Sequence, residues 1–209
     1  MISLDPKLKK IKDKIIDNFT DIGHTFNHTE RVFNMAVRIT ESEEDINIEV
    51  VKLAVLLHDV ARNKKGDHAV EGAKMARDIL SEESYSKEII DHVCDCIETH
   101  RYSKGLEPKS KEGAVLQDAD RLDALGAMII ARVLRKKSDV PLYDPDIPPA
   151  KVYPSEEAGK TRINHLKEKC LKITPESFHF KTAKNIAKER YEFVKEFIER
   201  FEKEWKGEL

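Results

Sequence analysis

The chain has 209 residues and sets 37 Lys+Arg against 39 Asp+Glu, a formal net charge of −2. That length fits one domain, or one domain with a C-terminal elaboration, and buries a sizeable core without disulfides. The balanced charge disfavours nucleic acid and anionic membranes as partners, and charged residues interspersed along the chain read as solvated helix faces.

The segment Met1–Phe19 alternates lysine with isoleucine and has no uncharged run like a signal sequence. The longest apolar runs, Val50–Ala61 and Ala127–Leu134, are too short for a membrane span. A cytoplasmic location is expected. Cys94, Cys96 and Cys170 are too few and too irregularly spaced for a zinc ribbon or a disulfide framework, and read as reduced core residues.

Asp5-Pro6 reads as an N-cap followed by proline in the first turn, opening a helix to about Phe19. Asp21-Ile22-Gly23 breaks it. A second helix is expected from Asn27, with Glu30 completing a capping box, to about Glu43. A third, about Ile48 to Ala61, is apolar around most of its circumference and reads as the central buried helix, with His58-Asp59 in its last turn. Further helices are expected at Asp67–Leu80, Ser86–Thr99 and Ser110–Lys137, the last bent near Gly126. The stretch 138–155 holds five prolines and reads as a lid or as a passive connector. Helices resume at Glu156–Lys172 and Lys181–Lys206, the latter with an apolar stripe Val194, Phe197, Ile198, Phe201 and Trp205. No segment has the alternation of a strand. The expected class is all-α: one domain, with a metal-binding core at 20–137 and C-terminal helices 156–206 packing on it.

Two imidazoles and two carboxylates from three segments, His28, His58-Asp59 and Asp120, can enclose one divalent metal. Imidazole with carboxylate suits Mn²⁺, Fe²⁺, Co²⁺, Ni²⁺ or Zn²⁺ better than Mg²⁺. A metal with open positions lowers the pKa of bound water and draws charge from a phosphoryl group. Asp123 lies three residues after Asp120, so both can share a helix face, whereas Asp118 should turn away as a surface charge. His24 stands one turn before His28, and Arg31 three residues after it.

The order H…HD…D, with the HD pair closing an apolar run and Asp118-Ala119-Asp120-Arg121-Leu122-Asp123 downstream, resembles the HD-domain superfamily of metal-dependent phosphohydrolases. His24-x-x-x-His28-x-x-Arg31-Val32 and Gln117–Ala127 are similar to the compact stand-alone bacterial and archaeal members, as are Asn164-His165, Lys169, Ala187-x-x-Arg190 and Glu204-Trp205. Phe26 stands where many relatives carry another aromatic residue, often tryptophan.

The resemblance implies a helical bundle and one metal ion held by His28, His58, Asp59 and Asp120. Asp123 becomes a candidate to orient or deprotonate water, or to support a ligand histidine. His24 becomes a candidate phosphate contact or proton donor, the alternative being a hydrogen-bonded loop histidine. In dinuclear relatives, histidines near His68 and His100 hold a second metal. This chain lacks their paired His-His, so His68 and His100 read as substrate-side groups, with a structural role for His100 the alternative. Arg31 and Arg132 are the stronger phosphate-binding candidates, with His165 and Lys169 added by the tail, while Lys169 taken alone, like Arg62, reads as a solvated charge.

The expected activity is hydrolysis of a small phosphorylated metabolite, most readily a nucleotide, by nucleoside-triphosphate pyrophosphohydrolysis or phosphatase action. Cyclic-nucleotide phosphodiesterase activity and non-catalytic nucleotide binding are the alternatives, and a homodimer is compatible with the sequence.

Overall fold

A computed structural model describes residues 4–19, 26–135 and 139–209. Among these residues the protein is all-α, with helices α1 (Pro6–Ile15), α2 (Phe26–Thr40), α3 (Ile48–Leu57), α4 (His68–Glu82), α5 (Lys87–Thr99), α6 (Lys111–Asp123), α7 (Gly126–Arg135), α8 (Arg162–Glu168) and α9 (Lys181–Trp205). The chain forms two compact units, and the division falls inside α6, after Asp120.

In the first unit α3 is the central element, with Val50, Val51 and every residue from Leu53 to Leu57 fully buried. It packs on α2, α4 and α5. Side-chain caps start α1, α3, α4 and α5: Asp5 accepts from Leu8 N, Asn47 from Glu49 N and Val50 N, Asp67 from Ala69 N, and Ser86 from Ile89 N. Glu112 ties α6 to the start of α3 by accepting from Asn47 N at 2.7 Å. Gln117 ties it to the end of α5, donating to Thr99 O at 2.8 Å and Leu106 O at 2.9 Å.

The helical expectation holds, with boundaries moved for identifiable reasons. Asn27 lies inside helix α2 and is no cap. Phe26 is buried edge-on against the Phe19 ring, centroids 5.5 Å apart. Helix α3 stops at Leu57, so His58-Asp59 follow it, in turns closed by Val60 N to Leu57 O and Arg62 N to Asp59 O. Asp118, expected at the surface, is fully buried.

In the second unit α7, α8 and α9 enclose a core of Ile129, Ile130, Ile163, Leu166, Cys170, Val194 and Ile198. The expected 110–137 helix is broken rather than bent. Gly126 has φ +75°, and a Cβ there would meet Arg190 Cγ at 3.1 Å. Arg190 also donates to Leu122 O at 2.6 Å, satisfying a carbonyl near the end of α6.

The expected helix 156–172 forms only over Arg162–Glu168, capped by Thr161. Before it the chain turns through Gly159, φ +74°. The buried Glu168 carboxylate accepts from Ala150 N at 2.7 Å and Gly159 N at 2.6 Å, while Asn164 donates to Ile147 O at 2.8 Å. The proline-rich segment is thereby fastened to α8. No helix among the described residues is long and apolar enough to cross a membrane.

Candidate metal centre

Helices α3 and α5 end in the same way. His58 caps α3 and His100 caps α5, and each Nδ1 lies on the carbonyl three residues earlier, Val55 O at 2.8 Å and Ile97 O at 2.6 Å. A carbonyl only accepts, so each Nδ1 carries the proton and each Nε2 keeps its lone pair. One contact thus satisfies a helix-terminal carbonyl and sets the tautomer that a metal ligand needs. Gly72 of α4 lies against the His58 turn: a Cβ there would meet His58 O at 3.3 Å. This close approach packs α4, with His68 at its start, against the His58 turn.

The four expected ligands come together. His28 Nε2 lies 3.3 Å from His58 Nε2 and 3.3 Å from Asp120 Oδ1. Asp59 Oδ2 is 3.8 Å from His28 Nε2 and 3.7 Å from His58 Nε2. His28, His58 and Asp59 are buried. Donors bonded to one transition-metal ion at roughly 2.0–2.2 Å stand about 3–4 Å apart. His28, His58 and Asp120 could hold a metal ion, and Asp59 turns one oxygen toward them. Burial opposes ionisation of Asp120, but its His28 hydrogen bond and the His28, His58 and His100 imidazoles outweigh that and hold its carboxyl well below the usual range.

A second group of potential metal ligands, Asp59, His68 and His100, adjoins the first. Asp59 Oδ1 lies 3.6 Å from His68 Nε2 and 4.0 Å from His100 Nε2, so the two oxygens of one carboxylate address different groups. The sequence pointed to His68 and His100 separately; their convergence on Asp59 needed the fold. Burial, then the Arg62 charge, lowers the His68 pKa to about 4, and burial lowers that of His100. Both imidazoles are neutral at physiological pH, as metal ligation or hydrogen-bond acceptance requires. Arg62, read from sequence as a solvated charge, lies 2.9 Å from His68 Nε2 and 3.6 Å from Asp59 Oδ1.

The remaining candidates are distributed as follows. Arg31 is half-buried on α2. His24 lies outside the described residues. In the second unit Asp123 is buried and accepts from Arg132 Nη1 at 2.7 Å. His165 stands edge-on to the Tyr153 ring, centroids 5.8 Å apart, and Lys169 caps α8.

Comparison with known proteins agrees with this geometry. The HD domain family model matches residues 25–125, spanning all four expected ligands. YpgQ of Bacillus subtilis is 30% identical over 189 residues, 88% of this chain and 86% of its own. The chain belongs to the HD superfamily.

A solved structure from Lactobacillus plantarum matches 99% of this chain and 100% of its own, with a TM-score of 0.79 and 29% identity. An HD-superfamily hydrolase from Bacillus thuringiensis is 35% identical, covering 96% of this chain and 98% of its own, with a TM-score of 0.72. The crystal structure of YpgQ in complex with ADP superposes with a TM-score of 0.71 at 28% identity, covering 95% of this chain and 94% of its own.

Proposed function

We propose that this HD protein is a metal-dependent phosphohydrolase of nucleotides. It would release pyrophosphate from a nucleoside triphosphate or phosphate from a shorter nucleotide. The observation that carries the reading is the convergence of His28 Nε2, His58 Nε2, Asp59 Oδ2 and Asp120 Oδ1 within 3.3–3.8 Å contacts. Nucleotide as substrate class is supported by the ADP complex of YpgQ. A bound divalent ion, Mn²⁺, Co²⁺, Ni²⁺, Fe²⁺ or Zn²⁺ in preference to Mg²⁺, supplies Lewis acidity toward phosphate oxygen and a more acidic water.

The chain's own residues do the rest. Val55 O holds the His58 ring with its Nε2 lone pair toward the site. Asp59 and Asp120 bring negative charge that raises affinity for a dication. Asp123, three residues beyond Asp120 on α6, orients the attacking water or accepts its proton, and Arg132 holds the Asp123 carboxylate. Arg31, Arg132, His165 and Lys169 supply donors to phosphate and base, His68 and His100 line the substrate side as neutral imidazoles, and His24 protonates the leaving group or contacts phosphate.

The test is a metal-by-substrate screen on metal-stripped protein. Mn²⁺, Co²⁺, Ni²⁺ or Mg²⁺ is added back against nucleoside tri-, di-, mono- and cyclic phosphates, and phosphate and pyrophosphate are read separately. Turnover is expected only after metal is restored, with pyrophosphate from triphosphates or phosphate from shorter nucleotides. Tight nucleotide binding with no turnover under any metal would make the protein a non-catalytic binder.

A further inference from the structure

We infer that Arg62 sets the number of metal ions at this site, its guanidinium standing against Asp59 and His68 as a built-in cation and keeping a second divalent ion out. The inference rests on the metal-binding reading of the first group and concerns only the second. The Asp59, His68 and His100 donors are spaced as ligands of one ion would be, with Nε2 to Oδ1 distances of 3.6 and 4.0 Å. By donor type and spacing alone, this group would take a metal as the first does.

Arg62 changes that. A guanidinium has no acceptor atom, so in its 2.9 Å contact Arg62 Nη1 donates and His68 Nε2 accepts. The lone pair engaged is the one that would bind a metal. Nη1 also lies 3.6 Å from Asp59 Oδ1, the oxygen facing this second group. A dication seated there would displace both contacts and meet a unit positive charge at close range.

Local structure brings the arginine there. The turn closed by Arg62 N to Asp59 O at 2.9 Å puts its side chain three residues beyond the carboxylate, on the same side. The neighbouring cations Arg101 and Lys104 are instead engaged by Asp67, at 2.7 and 3.1 Å. The arrangement matches the needs of a phosphoryl site: where a second metal would neutralise phosphate charge, an arginine does so with directional donors. His68, in turn, positions Arg62.

The experiment counts ions. Metal-stripped wild type, Arg62→Ala and Arg62→Ala/His68→Ala are dialysed against Mn²⁺. Bound metal is measured by elemental analysis, and paired ions are detected by the exchange-coupled Mn²⁺ signal in electron paramagnetic resonance. One tightly bound ion is expected in wild type. Arg62→Ala should bind two, with the coupled signal and with the second ion held at least about tenfold more tightly than any second ion in wild type. The double variant should return to one. Arg62→Met, which keeps the side-chain stem, replaces Arg62→Ala if the latter fails to fold. Two tight ions in wild type, or a single ion in both Arg62 variants, overturns the inference while leaving the first metal group standing. No ion in wild type would instead remove the metal reading of the whole site.

Discussion

Two pairs of carboxylates in this protein are held in different ways. Asp59 and Asp120 present their oxygens to imidazole nitrogens, with Asp59 serving two histidine groups at once. Glu112 and Glu168 are buried and accept from backbone N–H groups, Asn47 N in one case, beside the His92 imidazole at 3.1 Å, and Ala150 N and Gly159 N in the other. A backbone N–H has no other role and rewards burial of a charge directly, so Glu112 and Glu168 are explained by the fold they fasten. Imidazole nitrogens with lone pairs do not stabilise a carboxylate unless a proton or a metal lies between them. Asp120 is matched by His28, and Asp59 by Arg62, so both charges are offset by ionisable side chains rather than by fixed backbone donors, which is the mark of a functional pair.

The sharpest way to break this comparison is to remove the carboxylate that both histidine groups share. Asp59→Ala should abolish stable metal binding and lower hydrolysis by more than the roughly 10–100-fold cost of losing an outer supporting contact. Elemental analysis after dialysis, paired with the turnover assay, checks it. Retention of one ion with ordinary affinity would move Asp59 into the structural class with Glu112. Because Asp59 is buried beside Arg62, the thermal transition of the metal-free variant is measured in parallel, to separate lost ligation from lost folding.

Asp123 sits between the two kinds. It is buried like a structural acid, yet its partner is the side chain of Arg132 at 2.7 Å, and the pair could as well serve a substrate. We expect Asp123→Asn to lower kcat by about 10²–10⁴ with metal content unchanged, as for a group that handles a proton or orients water. If the carboxylate serves only to hold Arg132, kcat should stay and KM should rise, with Arg132→Ala giving the same phenotype. Full activity with unaltered KM would place Asp123 among the fastening carboxylates.

The contrast also explains what was legible in the sequence. His28, His58-Asp59 and Asp120 could be singled out because their order resembles the HD-domain pattern, and the all-α class followed from helical periodicity together with the Asp5 cap. Burial of Asp118 was missed because helical spacing relative to Asp120 says which way a side chain turns, not what packs there. The breaks at Leu57, at Gly126 and before Thr161 were misjudged because tertiary partners set them: the His58 ring on Val55 O, Arg190 on Leu122 O, and Glu168 on Gly159 N. The grouping of Asp59, His68 and His100, and the guanidinium of Arg62 against it, joins the end of α5 to the start of α4, a juxtaposition that linear spacing does not encode.

The smallest expected effect belongs to Glu112, and pH resolves it. Burial raises the pKa of this carboxyl, but the hydrogen bond from Asn47 N, with lesser help from the His92 charge and Ser110, outweighs it, so the folded-state value lies below the ordinary glutamate range. A carboxyl depressed on folding binds fewer protons in the native state than in the unfolded one. Its contribution is therefore complete above the unfolded pKa and is lost as pH falls through the folded value. Glu112→Gln should lower unfolding free energy by about 1–2 kcal/mol at pH 7, the scale of a charge-assisted hydrogen bond to backbone. The gap from wild type should close as pH falls below the ordinary glutamate pKa. Urea denaturation of both proteins along a pH series measures it. Since Glu112 fastens α6 to Asn47 and lies outside both histidine groups, kcat at pH 7 should change by less than about twofold, within the range of a surface-like perturbation. A pH-independent stability gap would show that the Glu112 carboxylate charge contributes nothing, and that its burial at the head of α3 rests on packing alone.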